Sequence, residues 1–165
     1  MTLPVKKTRW AWVVGTFLGA GYMKPGPGTY ASVATVVIWW GAAHGLHIGP
    51  HNLSALTFLA MIVVTAIGIP ASTKVAIEAG RKDPQFVVID EVAGQLFALL
   101  ALSPTWMHGL IALVLFRLFD IFKPWPIRYF EKFKGGWGIM LDDVVAGFFA
   151  HICLQLLMHF VPRLR

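Results

Sequence analysis

The charged residues of this chain are separated by long gaps. No Asp, Glu, Lys or Arg occurs from Pro25 to Thr73, from Val92 to Phe116 or from Val144 to Pro162, stretches of 49, 25 and 19 residues. About 20 mainly apolar residues in a helix suffice to cross the hydrocarbon core of a bilayer. Hydrophobic residues make up 57% of the 165 positions and charged ones 13%, against about 45–50% and 25% in soluble domains. Disorder is excluded, because it needs low hydrophobicity, and an ordinary soluble enzyme is disfavoured. The net charge of +6 suits an anionic membrane surface better than nucleic acid in so apolar a chain. No nucleic-acid partner is expected. A single cysteine, Cys153, leaves no intrachain disulfide framework and no cysteine-rich zinc site.

The longest gap is broken at residues 44–52, where His, Gly, Pro and Asn read as a polar turn. This gives two spans, Tyr30–Ala43 and Leu53–Pro70. Val87–Leu102, Trp106–Phe122 and Val144–Val161 follow, with Ser103-Pro104-Thr105 as a tight connection. Trp10–Tyr22 is shorter and follows Lys6, Lys7 and Arg9. Its basic start and small residues resemble a signal peptide, but Trp10 and Trp12 favour an interfacial or re-entrant helix. The expectation is an all-α, multihelical membrane protein with about 4–5 membrane-embedded helices plus that short N-terminal helix. Residues 1–165 form one domain in this reading. Lys6, Lys7, Arg9 and Lys24 precede the first span, and lysine and arginine fill the connections after the second and fourth. The connections at 44–52 and 103–105 hold none. The positive-inside rule then puts the N-terminus in the cytoplasm, with Arg163 and Arg165 in mild conflict.

All eight acidic residues fall on that cytoplasmic side: Glu78, Asp83, Asp90, Glu91, Asp120, Glu131, Asp142 and Asp143. Glu78 and Glu131 sit among basic residues and read as solvated loop charges. The others adjoin uncharged runs, and ionisable groups at membrane depth suggest a site. Pro84 can start a helix that Asp83 caps. Arg117, Asp120 and Lys123 lie three apart on one helix face, which predicts an Arg117–Asp120 ion pair. Asp142 and Asp143 follow a glycine-rich loop and read as a helix N-terminus, where a divalent cation would relieve their repulsion. Thr29 or Ser32 can cap the first span, and free amides at such a helix start bind phosphate. His44, His47 and His51 are read as a polar loop rather than a zinc site.

Four segments carry a resemblance: Gly19-x-Gly21 with Pro25-Gly26-Pro27-Gly28-Thr29; Asp83-Pro84 with Ile89-Asp90-Glu91-x-x-Gly94; Phe116-Arg117-x-Phe119-Asp120-x-x-Lys123-Pro124-x-Pro126; and Gly138-Ile139-Met140-x-Asp142-Asp143-x-x-Ala146-Gly147. In this order and spacing they resemble the phosphatidylglycerophosphatase A family. Tyr30 is a soft departure, standing where a small residue is common. The resemblance implies a Mg²⁺-dependent phosphomonoesterase of the bacterial inner membrane, with its active site facing the cytoplasm. It implies phosphatidylglycerophosphate as substrate, phosphatidylglycerol and inorganic phosphate as products, and a helical fold around a central helix.

The physical reading and the resemblance combine into one expected site. Asp90, Glu91, Asp120, Asp142 and Asp143 are the expected ligands of one or two Mg²⁺ ions. Lys123, Arg117 and Lys24, with the Gly28–Thr29 turn and Ser32, are expected to hold the phosphate. Asp83 is a cap, a ligand or a general base. Direct water attack and an aspartyl-phosphate intermediate remain open. Phosphomonoester hydrolysis requires up to about 10²¹-fold acceleration, and basic residues alone offer no nucleophile. A membrane cation transporter or channel is the alternative, and it would place acids at mid-membrane or on both faces. The sequence carries no signal for oligomeric state.

Overall fold

A computed structural model describes residues 7–161; Lys6, Arg163 and Arg165 of the positive-inside reading lie outside the described residues. Among the described residues the regular structure is all helix, without strands. The helices are α1 (Arg9–Gly15), α2 (Pro27–Gly45), α3 (Pro50–Ala79), α4 (Ile89–Ala98), α5 (Trp106–Phe122), α6 (Ile127–Phe130) and α7 (Gly136–Phe160). The expected all-α class is therefore observed.

Two helices, α3 and α7, are long and apolar enough to cross a membrane. At 1.5 Å per residue they measure ~45 and ~38 Å. α3 presents Phe58, Leu59, Ile62 and Val63 outward, an apolar face that lipid would cover. The expected span Val87–Leu102 is instead the ten-residue α4, only ~15 Å long and too short to cross. It sits at the centre, packed on α2, α3, α5 and α7, and so its apolar residues meet protein. One apolar cluster, including Ala11, Val75, Val88 and Val92, lies on the α1–α3 side. A second, including Trp39, Leu99, Phe116 and Leu154, lies toward α2, α5 and α7.

Three boundaries differ from expectation. Pro70 lies inside α3 and does not end it. Loss of one backbone hydrogen bond is offset by packing, since Ala71, Ser72 and Val75 are fully buried. Residues 84–88 form a turn, with the Val87 amide donating to the Pro84 carbonyl and the Val88 amide to that of Gly15. α4 thus starts at Ile89, and Asp83 caps nothing. α7 begins at Gly136, where the amide donates to Thr73 Oγ1 at 2.7 Å. Asp142 and Asp143 therefore sit in its second turn, away from the helix terminus.

α4 and α7 cross closely through Gly94 and Gly147. A Cβ on Gly147 would collide with the Gly94 carbonyl oxygen, and one on Gly94 with the Phe116 ring. Small residues at such a crossing let backbones approach, and here they bring Asp143 against the first turn of α4.

Candidate active site

One end of the bundle gathers the acids. The start of α2, the 83–88 turn, the start of α4, the end of α5 and the second turn of α7 enclose a cavity of about 370 Å³. Six carboxylates line it, from Asp83, Asp90, Glu91, Asp120, Asp142 and Asp143, against two cations, Arg117 and Lys123. Four of these acids are nearly sealed: Asp90 and Asp120 are 8% exposed, Asp142 4% and Asp143 3%. Buried charges require partners, and only some have them.

Arg117 Nη1 lies 2.7 Å from Asp120 Oδ2, the pair expected from their spacing, and 3.7 Å from Glu91 Oε1. Lys123 follows α5 in a left-handed conformation with φ 42°, which turns its side chain back over the cavity. Its Nζ lies 2.5 Å from Asp142 Oδ2, 3.0 Å from Glu131 Oε1 and 3.9 Å from Asp120 Oδ1. Burial disfavours the charged ammonium, but the carboxylates of Asp142 and Asp143 outweigh it and hold Lys123 above its ordinary range.

Asp90, Glu91 and Asp143 form a different group. One carboxylate oxygen from each lies within 4.8 Å of the other two. Buried oxygens of all three, Asp90 Oδ1, Glu91 Oε2 and Asp143 Oδ2, have no hydrogen-bond partner. Like charges at this separation repel by roughly 3–4 kcal/mol per pair at an effective dielectric near 20. An all-oxygen, acidic donor set of this kind suits a hard divalent cation. These residues therefore fit a metal of the Mg²⁺ type.

Asp83 is at the mouth and also lines an adjoining cavity of about 230 Å³ with Lys82 and Glu131. The surrounding protein pushes its carboxyl above the ordinary range, Lys123 opposing. Gly28 lines the main cavity, where a Cβ would collide with the Glu91 carboxylate. Lys24, Thr29 and Ser32, also expected at the phosphate, are not among the residues lining the main cavity. Lys24 is exposed and lines a neighbouring cavity. Thr29 is exposed and its amide donates to the Gly26 carbonyl. Ser32 is buried and donates to the Gly28 carbonyl at 2.9 Å. Neither hydroxyl caps α2, whose first residue is Pro27, preceded by Gly26.

Sequence reasoning missed Gln85, which lines the cavity, and Glu131, which holds Lys123. It also missed Gln95, fully buried one turn beyond Glu91 with its amide unpartnered. Only the position of Gln95 within an apolar run signalled it. Glu78 is not a solvated charge: it accepts from the Thr8 amide at 2.8 Å, from Thr8 Oγ1 at 2.5 Å and from Trp12 Nε1 at 2.7 Å, tying α1 to α3. His44 and His47 make local bonds to the Trp40 and His44 carbonyls, as a polar loop would.

The family model for phosphatidylglycerophosphatase A matches residues 13–158, a range containing every cavity-lining residue. The chain belongs to the phosphatidylglycerophosphatase A family. Phosphatidylglycerophosphatase A of Haemophilus influenzae is 39% identical over 140 residues, covering 81% of this chain and 80% of that protein. The Escherichia coli protein of the same name is 35% identical over 146 residues, covering 87% and 81%. A Bacteroides thetaiotaomicron protein whose name gives it a provisional phosphatidylinositol-3-phosphatase activity is 36% identical over 146 residues, covering 86% and 89%. No solved structure matches significantly.

Proposed function

We propose that this chain hydrolyses the terminal phosphomonoester of phosphatidylglycerophosphate, giving phosphatidylglycerol and inorganic phosphate. It is a phosphomonoester hydrolase of phospholipid synthesis, as family membership indicates. The observation that carries the chemistry is the cavity itself, six carboxylates against two cations. Such a site repels a phosphate dianion unless a divalent cation offsets its charge.

Asp90, Glu91 and Asp143 would hold Mg²⁺, with Asp120 and Asp142 completing the acidic shell. Bound there, the ion supplies Lewis-acid charge neutralisation at the phosphoryl group. The chain's own residues do the rest. Arg117 and Lys123, fixed by their carboxylate partners, place positive charge beside the phosphate oxygens. Gly28 leaves room for Glu91 and the substrate. Asp83 exchanges protons at the mouth. The phosphorus–oxygen bond to glycerol breaks, water supplies the new oxygen, and the glycerol oxygen leaves protonated.

The reading sets residues 1–165 as a single domain of the bacterial inner membrane, with the cavity toward the cytoplasm. α3 and α7 cross it. α2 and α5, at ~28 and ~26 Å, are embedded beside them, and α4 enters part-way, for 4–5 embedded helices in all. A lipid held by its acyl chains can then present its terminal phosphate at the surface. A transport path is not favoured, because the acids crowd one end of the bundle beside Arg117 and Lys123.

The test offers purified protein phosphatidylglycerophosphate and, separately, phosphatidylinositol 3-phosphate, with Mg²⁺ and with EDTA. Mg²⁺-dependent release from the first substrate, in clear preference to the second, is expected. No release from phosphatidylglycerophosphate would overturn the reading.

A further inference from the structure

Next to the acidic cavity lies a second one of about 460 Å³ with the opposite electrostatics. It shares Gly26, Pro27 and Gln85 with the first. Its charged lining residues are Lys24 and Arg81, and it has no carboxylate. Among the described residues neither cation makes an ion pair.

Part of the wall is aromatic. Phe86 stacks on Trp12 at 5.2 Å and on Tyr22 at 5.9 Å between ring centroids. Gly80 closes α3 in a left-handed conformation, and the Arg81 amide donates back to the Ala76 carbonyl. That bond is the six-to-one closure of a helix end, and it fixes the backbone from which Arg81 projects. Both cations are exposed, so an anion can reach them from solvent.

We propose that this cavity binds a phosphodiester, the bridging phosphate of the lipid substrate. The inference rests on the phosphatase reading above. That substrate carries two phosphates joined by one glycerol. The terminal monoester, a dianion, belongs in the carboxylate cavity with its cation. The diester is a monoanion that needs no metal, and two unpaired cations suit it. The spacing allows both: Lys24 and Gly28 are four residues apart, at most ~14 Å along an extended chain, within the combined reach of a lysine side chain and a three-carbon bridge. Lys24 and Arg81 thereby become specificity-determining residues, favouring lipids with a second phosphate.

The variants Lys24→Gln, Arg81→Gln and their combination test this in neutral detergent micelles. The product phosphatidylglycerol carries only the diester, and inorganic phosphate only the group for the acidic cavity. In wild type both inhibit competitively. In the double variant the inhibition constant of phosphatidylglycerol rises roughly tenfold or more, the scale of one lost charge-assisted contact, while that of inorganic phosphate is unchanged. KM for phosphatidylglycerophosphate rises with it and kcat does not fall. Equal weakening by both inhibitors, or no change in phosphatidylglycerol inhibition, overturns the proposal. Activation by added phosphatidylglycerol that depends on Lys24 and Arg81 assigns the cavity to a neighbouring membrane lipid and also overturns it. Calorimetric titration of phosphatidylglycerol in mixed detergent micelles into wild type and the double variant reads the same loss without turnover. A wild type that binds phosphatidylglycerol but releases no phosphate from the substrate sinks the phosphatase reading alone.

Discussion

Gly28→Ala adds one methyl group at the point where α2 meets the acidic cavity. The new Cβ would overlap Glu91 Oε1, lie 2.6 Å from Glu91 Cδ and 3.0 Å from Arg117 Nη1. Real carbon contacts need about 3.5–4.0 Å, so the carboxylate must retreat by roughly 1 Å. Glu91 cannot retreat freely, because its neighbours include Asp90, Asp143 and the Arg117–Asp120 pair. Overpacking of this kind costs about 1–3 kcal/mol. A 1 Å misplacement of a catalytic group lowers turnover about 100-fold. The matched control is Gly41→Ala on the same helix, where a Cβ meets nothing within 4 Å. The assay is phosphate release from phosphatidylglycerophosphate micelles as a function of Mg²⁺ concentration. Gly28→Ala is expected to lose about two orders of magnitude in kcat and to require more Mg²⁺, while Gly41→Ala matches wild type. Wild-type kcat and Mg²⁺ dependence in Gly28→Ala would refute the placement of Glu91 in the site.

Lys123→Met leaves the buried Asp142 carboxylate without its cation, while Asp120 keeps Arg117, and should destabilise the protein by about 3 kcal/mol, read as accelerated thermal inactivation in detergent; Lys123→Arg should restore most of it. Gly147→Ala pushes α7 from α4 and separates Asp143 from Asp90, so half-maximal Mg²⁺ for phosphate release should rise, and an unchanged Mg²⁺ curve would count against that geometry. Glu78→Ala removes three bonds that hold α1 to α3, so hydrogen exchange in α1 should speed up while kcat stays near wild type.

The acidic cluster is largely legible in the sequence because its members mark themselves locally. Arg117 and Asp120 are three apart on one helix, and that spacing alone brings them together. Asp90, Glu91, Asp142 and Asp143 stand out by adjoining long uncharged runs. Contacts that depend on how helices meet were not legible. Glu131 reaches Lys123 only because the chain after α5 turns through α6, which packs on α7, and Gln85 reaches the cavity only because the 83–88 turn replaces a helix start. Apolarity also concealed length: Val87–Leu102 is apolar enough for lipid, yet α4 stops at Ala98 and gives way to a turn in which Ala101 is left-handed, φ 53°. The phosphate-binding expectation for Ser32 rests on motif position, and the helix start at Pro27 places its hydroxyl on the Gly28 carbonyl instead.

The most direct test of a carboxylate-held cation acting on this lipid is phosphorus NMR of phosphatidylglycerophosphate incubated with purified wild type, Asp90→Asn and Asp143→Asn proteins, each with Mg²⁺ and with EDTA. The account predicts that the monoester signal converts to inorganic phosphate only with wild type and Mg²⁺, while the diester signal persists. Conversion at the wild-type rate by either variant, or by wild type in excess EDTA, would contradict it.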